Sequence, residues 1–464
     1  MLKSKGLWTL ALGLVLLHIA LAANLPLVED ETYYQLWASH PAAGYFDHPP
    51  MVAWSIAAGQ WLLGPSNLAV RAGSILAIFL LNLVTFRIAW LLSRDQATAF
   101  RASLWGASTM PLAGVGFAAT PDPFSALFWT AATWALVEVL NQGHRNWWLL
   151  VGLFAGLGVL SKFTGFFFGL ALVIWLFSSR KGRRWLSVWQ VWAGAVIGIL
   201  VLLPFLYWNY QHDWVGFQRQ FGRVGEAAAF SPTDFVLFCL SFVVYLGPLL
   251  FWFALRGVAS ARVPRVLIWL IAPLCLYLVY HATKAAAGGQ WLVPIFPTLA
   301  VIAAHGTDRT RSSRWVAPLG FGLTALAMLV GFWPGKVLIG GHNPFTQVRG
   351  WAAVSAGIRA EVRDSGAVWI ATDAYGLTGQ LNHYLGAEIP VWSVTAPERY
   401  MFRGPFPREF CQLPALFISR SEFAGGVPYF TSTRPLPALD RLEGDRLLMR
   451  YHTARVSGLK SCPP

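Results

Sequence analysis

Carboxylates and histidines concentrate in the stretch VEDETYYQLWASHPAAGYFDHPPMVAW, which covers residues 28–54 of an otherwise apolar chain. This stretch contains no lysine or arginine. A carboxylate placed beside a substrate can act as a general base that deprotonates a hydroxyl or an amine. We therefore predict Asp30 as a catalytic base and its neighbours Glu31 and Tyr34 as substrate contacts. The alternative is an ordinary solvated helix start, because acids favour helix N-termini.

Two proline-containing motifs hold further acids in stiff backbone. In GYFDHPP, the prolines restrict the backbone around Asp47 and His48, which suits a pre-organised site. We predict that Asp47 and His48 belong to a substrate-binding site. In TPDPF, Asp122 lies between two prolines and is a second catalytic candidate, although Pro-Asp-Pro is also typical of a tight turn.

Isolated cations are the third type of candidate. Lys162, Arg219 and Lys284 are predicted to bind a phosphate, since Lys and Arg are the usual partners of phosphate oxygens. Their alternatives are a snorkelling lysine, neutralisation of a nearby acid, or contact with lipid headgroups. His212 could bind substrate, or could join Asp47 around a divalent ion, because imidazole and carboxylate suit several metals.

The composition indicates which elements must position these residues. Of the 464 residues, 56% are hydrophobic and only 12% are charged, whereas soluble proteins have about 25% charged residues. Several apolar runs reach the ~20 residues that a bilayer requires, so the chain is predicted to be a polytopic α-helical membrane protein. The net charge of +14 falls mainly in short loops, and no basic, aromatic-interleaved surface indicates nucleic-acid binding.

The apolar runs predict about eleven spans, at approximately 7–24, 68–92, 102–119, 124–141, 147–161, 163–178, 189–206, 235–255, 267–283, 291–305 and 315–334. One set of loops holds most of the Lys and Arg residues, and the opposite short loops hold only Lys162, Arg219, Arg223 and Lys284. The positive-inside rule then places the N-terminus in the cytoplasm and the candidate residues outside.

Two domains are expected. Residues 1–334 form the membrane domain, with outer loops at about 25–67, which carries interfacial helices, and about 207–234. Residues 335–464 are less apolar and predict a small extracytoplasmic α/β domain, with a helix at TQVRGWAAVSAGIRAEVRDSG and strands at AVWIAT, IPVWSV, ALFIS and RLLMRYHTARV. Cys411 and Cys462 of this tail could pair in an oxidising space, although sequence does not show the pairing.

Several motifs occur in a familiar order: the Asp-Glu pair after the first span, YFDHPPMVAW, ATPDP, LSKFTG and WNYQHDW. Together they resemble the bacterial dolichyl-phosphate-mannose–protein mannosyltransferase-like glycosyltransferases and, more distantly, the lipid A aminoarabinose transferases. The resemblance covers about residues 25–300.

The resemblance implies a GT-C fold and an inverting transfer of a sugar from a polyprenyl-phosphate donor at the outer face of the bacterial cytoplasmic membrane. It implies that Asp30 is the base or acceptor binder, that Asp47 and His48 lie beside the donor phosphate, and that Asp122 is the second-loop acid. Lys162 would reach the phosphate, and Lys284 stands where many relatives have an arginine.

The expected partners are the prenyl-linked sugar donor, membrane lipids, and a lipid, glycan or protein acceptor, with the chain acting as a monomer. A transporter or flippase for lipid-linked sugars is the main alternative, and it would place charges near mid-bilayer and show inverted repeats. An oligosaccharide ligase of different fold and a non-catalytic lipid-binding protein are the other two. Metal dependence is left open.

Overall fold

The computed structural model describes residues 4–222, 230–332, 344–423 and 426–462. Most of these residues are helical. In chain order, the helices are α1 (Lys5–Asn24), α2 (Glu29–Ala38), α3 (Met51–Leu63), α4 (Asn67–Ser93), α5 (Gln96–Ala107), α6 (Met110–Gly114), α7 (Pro121–Gln142), α8 (Trp147–Ser161), α9 (Phe166–Ser178), α10 (Arg180–Arg183), α11 (Trp189–Gln211), α12 (Val215–Gly222), α13 (Pro232–Leu246), α14 (Pro248–Ala259), α15 (Arg265–Ala282), α16 (Phe296–Gly306), α17 (Val316–Phe332), α18 (Trp351–Ser365) and α19 (Tyr375–Leu385). Short 3-10 turns join them at Phe163–Gly165, Gly289–Ile295, Ser312–Trp315, Pro344–Val348, Gly386–Glu388, Pro397–Arg403 and Arg408–Cys411.

The long apolar helices make a polytopic membrane protein. Six of the described helices are long and apolar enough to cross a bilayer, or seven if α13 and α14, which meet at 93°, count as one broken span. Their outward faces carry large exposed apolar side chains, such as Leu16, Leu200 and Leu276, which water would not favour but lipid would. Most of the predicted apolar runs coincide with helices, but the run 102–119 is divided between α5 and α6, and the run 235–255 between α13 and α14. Several of the other helices are too short to be counted as spans by length alone.

Local sequence signals set the helix boundaries. The Ser66 hydroxyl accepts a hydrogen bond from the Ala69 amide and caps α4, and Asp95 caps α5 in the same way. Gly143, with φ of 69°, ends α7 in the left-handed conformation that favours glycine. Glycines also permit close packing of α8 on α11, because a Cβ on Gly152 would lie 1.8 Å from the Gly194 carbonyl oxygen.

Two interruptions shape the part of the bundle that holds the candidate residues. The predicted outer loop 25–67 contains α2 and α3, and α3 ends in exposed Trp61 and Leu62, as a helix lying at a membrane interface would. The predicted break at Lys162 is also present, since α8 ends at Ser161 and Lys162 is extended, with φ of −158° and ψ of 143°.

The tail forms a five-stranded sheet flanked by α18 and α19. Its strands are β1 (Trp369–Thr372), β2 (Val391–Ser393), β3 (Ala415–Ser419), β4 (Phe430–Glu443) and β5 (Arg446–Leu459), in the order β2-β1-β3-β5-β4. The β1–β2 and β1–β3 pairs are parallel, and the β3–β5 and β4–β5 pairs are antiparallel. The four predicted strand segments form β1, β2, β3 and β5, and β4 was not predicted.

Strands β1, β2 and β3 are buried on both faces, whereas the edge strand β4 is largely exposed. Successive side chains alternate between the faces, so Ile370 of β1 packs towards α18 and α19, whereas Trp369 and Ala371 face the other way. That second face shares one apolar cluster with Tyr33 and Trp37 of α2. The tail therefore packs directly on the segment that follows the first membrane helix.

Two of the four cysteines are joined. Cys411 and Cys462 form a disulfide in the tail, with 5.8 Å between their Cα atoms. Cys239 and Cys275 lie half-buried within apolar helices and are free, as expected for packing residues.

Candidate active site

A cavity of about 400 Å³ lies where α2, the start of α7, the α8–α9 break, α15 and the tail meet. Residues that are far apart in the sequence share this cavity. Six of the predicted site residues line it: Asp30, Tyr34, Asp47, His48, Asp122 and Lys162. Candidate residues from separate segments of the chain therefore meet in one cavity.

The three consecutive acids at the start of α2 have different environments, because successive helical residues point about 100° apart. Glu29 is paired with Arg420 of the tail. Glu31 is fully buried and paired with Arg71 at 2.5 Å. Asp30, between them, faces the cavity, and in the described ranges no cation is paired with it.

Asp30 accepts one side-chain hydrogen bond, from the hydroxyl of Tyr375, at 2.9 Å. Burial raises the pKa of the Asp30 carboxyl, the hydrogen bond from Tyr375 lowers it, and the nearby charges of Glu29, Asp47 and Glu31 raise it further. The net direction is upward, which brings the carboxyl towards the range where a general base works best. Asp30 thus has the environment of a catalytic base rather than of a structural ion pair.

Asp47 also lines the cavity, and neighbouring side chains hold its carboxylate in place. Its Oδ2 atom accepts a hydrogen bond from Tyr33 at 3.1 Å and lies 3.0 Å from Nη1 of Arg399. Arg219 of α12 approaches the other oxygen at 3.7 Å. The neighbouring ring of His48 meets Tyr34 edge-on, with 6.1 Å between centroids. The two prolines that follow lead directly into α3, as the stiffness of the motif predicts.

Lys162, at the α8–α9 break, is one of the cations that line the cavity, together with Arg399. Its Nζ atom donates to Oδ1 of Asp122 at 2.6 Å, and both side chains are partly exposed to the cavity. Asp122 lies in the first turn of α7, next to a proline at the helix start. The sequence placed these residues in separate loops, and the structure joins them as an ion pair.

Four predicted site residues do not line the cavity. Glu31, a predicted substrate contact, is buried against Arg71. Arg219 reaches the site only through Asp47. Lys284 lies in the turn after α15, outside the cavity lining, and His212 stacks on Trp208 and donates to its carbonyl oxygen at 2.7 Å. Arg223 lies outside the described residues.

The proposed Asp47–His212 metal pair also lacks support from the geometry. Within the part of the chain that the structure describes, no group of three or more His, Cys, Asp or Glu side chains could hold a metal ion. The Asp47 carboxylate is instead engaged by arginines, and His212 is not among the residues that line the cavity.

Sequence reasoning missed several lining residues, most of them neutral or remote. The tail contributes Tyr375 and Arg399, α15 contributes His281, and the 3-10 turn Gly289–Ile295 contributes Gln290. The tail motif ATDAYGLTGQLNHYLG contains Tyr375 and one acid, Asp373, which accepts a hydrogen bond from Ser419 and does not line the cavity. Nothing in the sequence connects Arg399 with Asp47, which is hundreds of residues away.

Known proteins with similar sequences belong to glycosyltransferase families. Residues 47–208 match a family model described as dolichyl-phosphate-mannose-protein mannosyltransferase. The chain is 29% identical over 384 residues to undecaprenyl phosphate-alpha-4-amino-4-deoxy-L-arabinose arabinosyl transferase 1 of Sodalis glossinidius, covering 71% of this chain and 65% of that protein. It is 27% identical to the lipid A galacturonosyltransferase RgtD of Rhizobium johnstonii, covering 59% of each chain.

The chain thus spans slightly less than two thirds of the length of these curated relatives. In structure, it resembles ArnT from Cupriavidus metallidurans bound to undecaprenyl phosphate, with a TM-score of 0.66, 16% identity, and coverage of 97% of this chain and 98% of the other. The chain therefore has the GT-C fold, and the predicted resemblance to the mannosyltransferase-like glycosyltransferases and the lipid A aminoarabinose transferases is confirmed.

Proposed function

We propose that this protein is an integral-membrane inverting glycosyltransferase that moves a sugar from a polyprenyl-phosphate donor to a lipid acceptor. The observation that carries the proposal is the shared cavity of Asp30 and Lys162. One wall offers the Asp30 carboxylate, with which none of the described cations is paired, and the other offers a cation suited to a phosphate. An acceptor group beside Asp30 would have a base to take its proton, and a donor phosphate beside Lys162 would be stabilised as it leaves the sugar.

The reaction balances as a single displacement. The acceptor oxygen or nitrogen forms a bond to the anomeric carbon while the bond from that carbon to the phosphate oxygen breaks. Asp30 accepts the proton of the acceptor, and the polyprenyl phosphate leaves with the electron pair. Because attack and departure occur on opposite faces of the sugar, the configuration inverts. His48 and Tyr34 line the same cavity and would bind the donor phosphate and the sugar.

Lys162 would stabilise the growing charge of the leaving phosphate. Its present partner, Asp122, neutralises it at 2.6 Å. A bound phosphate would compete for the same ammonium group, which has three donors and can serve both anions. The interaction would strengthen as negative charge develops in the transition state, which is the condition for accelerating the chemical step. Asp122 would then act as a positioning acid for Lys162.

The relatives support the choice of donor and acceptor. One is named for transfer from an undecaprenyl phosphate and another for transfer to lipid A, and both are named as transferases rather than transporters. A prenyl donor also fits the membrane location, since each buried CH₂ contributes about 0.8 kcal/mol towards keeping the chain in the bilayer. These points favour transfer over the flippase alternative.

We further propose the topology that the charge distribution predicts. The N-terminus lies in the cytoplasm, the cavity and the tail of residues 335–464 lie on the outer side of the bacterial inner membrane, and eleven apolar segments serve as crossings or re-entrant pairs. The tail disulfide supports this orientation, because such bonds persist in oxidising compartments. The protein is proposed to act as a monomer.

Asp30→Asn tests the function. We expect membranes of cells that express the wild-type protein to contain a lipid with one added sugar, detected by mass spectrometry, and cells with Asp30→Asn to lack it. Binding of radiolabelled polyprenyl phosphate to the purified variant should be retained. Asp364→Asn, on the exposed side of α18, is the matched control and should leave transfer unchanged. Normal transfer by Asp30→Asn would overturn the proposed role of Asp30, and an unchanged lipid profile on wild-type expression would overturn the proposed function.

A further inference from the structure

Two side chains of the tail enter the cavity and contact two of the acids that line it. Tyr375, the first residue of α19, donates its hydroxyl hydrogen bond to Oδ1 of Asp30 at 2.9 Å. Arg399, in the turn Pro397–Arg403, lies 3.0 Å from Oδ2 of Asp47. The Arg399 guanidinium also lies over the Tyr375 ring, 4.4 Å from its centroid. The two contacts therefore form one connected unit.

The backbone that carries Tyr375 is fixed against α2. Gly376 and Gly379 permit close contact between α19 and α2, since a Cβ on Gly376 would lie 2.2 Å from an oxygen of Glu29. The side chain of Gln380 donates to the Leu27 carbonyl oxygen at 3.0 Å. Further contacts join His383 to Gln35, Arg420 to Glu29, and the Tyr400 hydroxyl to the Tyr375 carbonyl oxygen.

We propose that Tyr375 and Arg399 are positioning residues of the transfer site, so that the tail orients and tunes the catalytic acids of the membrane domain. This inference rests on the proposed function and adds to it the part of the site that comes from beyond residue 335. Tyr375 acts on Asp30, and Arg399 acts on Asp47 and on the ring of Tyr375.

The Tyr375 hydrogen bond has two consequences for Asp30. It occupies one carboxylate oxygen, and no side-chain hydrogen bond within the described residues engages the other, Oδ2, which is left to accept the acceptor's proton. It also favours the charged form and so opposes the upward shift of the Asp30 pKa that burial causes. Without the Tyr375 hydroxyl, the pKa of Asp30 would be higher and its carboxylate would be less well oriented.

Other charged and titratable groups face Asp30 and would contribute to its titration. They come from α2, the segment after it, the tail, and the opposite wall of the cavity: Glu29, Glu31, Tyr34, Asp47, His48, Tyr375, Arg399, Asp122 and Lys162. Among these, Tyr375 is the group whose hydrogen bond to Asp30 lowers its pKa. A Tyr375→Phe substitution removes that hydrogen bond while keeping the ring, so it separates this effect from the others.

The test compares pH–rate profiles of purified wild-type protein, Tyr375→Phe and Arg399→Lys in lipid nanodiscs. A hydrogen bond to a charged group contributes enough to move the acid limb of Tyr375→Phe upwards by about one pH unit. Arg399→Lys keeps the charge but loses the planar stack, and we expect kcat to fall about tenfold, as for the loss of one charge-assisted contact. Tyr429→Phe and Arg434→Lys, tail residues outside the cavity lining, are the controls and should behave as the wild type.

A second measurement does not require turnover. The carboxyl band of Asp30, isolated as the infrared difference between wild type and Asp30→Asn, should titrate about one pH unit higher in Tyr375→Phe. If wild-type protein transfers no sugar, the proposed function fails, and this titration still decides whether Tyr375 tunes Asp30. If both the pH profile and the carboxyl titration of Tyr375→Phe equal those of the wild type, the inference is wrong.

Discussion

Replacing Glu31 by Gln should destabilise the protein strongly without directly removing a substrate contact. Glu31 and Arg71 are both buried, with side-chain exposures of 0% and 2%. Arg71 donates to both carboxylate oxygens, at 2.7 and 2.5 Å, and to the carbonyl oxygens of Ala22, Leu25 and Pro26. The pair therefore ties α2 to α4 and to the end of α1.

The expected magnitude follows from this burial. Glutamine keeps the shape of Glu31 but leaves the Arg71 charge uncompensated, and breaking a buried pair in this way costs about 3–5 kcal/mol. Glu31 also accepts from the Val28 and Ala119 amides, so its neutralisation weakens contacts to the segment before α7. We would measure the free energy of unfolding by titrating the protein from a mild detergent into SDS while following its tryptophan fluorescence.

Two controls make the result interpretable. Glu388→Gln removes an exposed ion pair with Arg359 and should cost less than about 1 kcal/mol, as exposed pairs do. A double variant, Glu31→Gln with Arg71→Met, should be less destabilised than the sum of the single variants, because the residues interact directly. A Glu31→Gln protein with wild-type stability and lost transfer would refute this reasoning and restore Glu31 as a substrate contact.

Three other outcomes are expected. Lys162→Gln should lower kcat by about 10²–10³, the usual effect of removing one transition-state donor, in a transfer assay on purified protein. Lys181→Gln, an exposed position in the short helix α10, is its control, and equal rates for Lys162→Gln and the wild type would contradict the role of Lys162. The transfer rate should rise with pH through a pKa above the ordinary Asp range, because Asp30 must be ionised to accept a proton and burial raises its pKa. A transfer rate that does not change with pH on the acid side would contradict this expectation. Gly152→Ala should destabilise the α8–α11 contact by about 1–3 kcal/mol in the SDS titration, whereas Gly169→Ala, with open space at its Cβ position, should not.

The sequence was sufficient to predict site residues that differ in type from their immediate neighbours along the chain. Asp30, Asp47 and Asp122 stand out as acids in an apolar chain next to prolines or helix starts, and Lys162 interrupts an apolar run. Each of these lines the cavity. Apolar runs also predicted the helices, since burial in lipid requires them.

Contacts between residues that are far apart in the sequence were not predictable. Arg71 lies inside an apolar run, and only the fold shows that it neutralises Glu31 and so removes Glu31 from the cavity. Arg399 meets Asp47 only because the sheet packs on α2. Strand β4 was missed because Pro435 and Pro437 argue against a strand, yet β4 is the edge of the sheet, where proline is tolerated.

The docking of α19 on α2 constrains how such enzymes can be recombined. The glycines of α19 fit the particular side chains of α2, and Arg420 matches Glu29. A chimera that exchanges the tail with that of a relative would therefore bring together two surfaces that were not selected for each other. Residues 27–37 of the same relative would have to be introduced together with its tail, because the two segments form one matched contact.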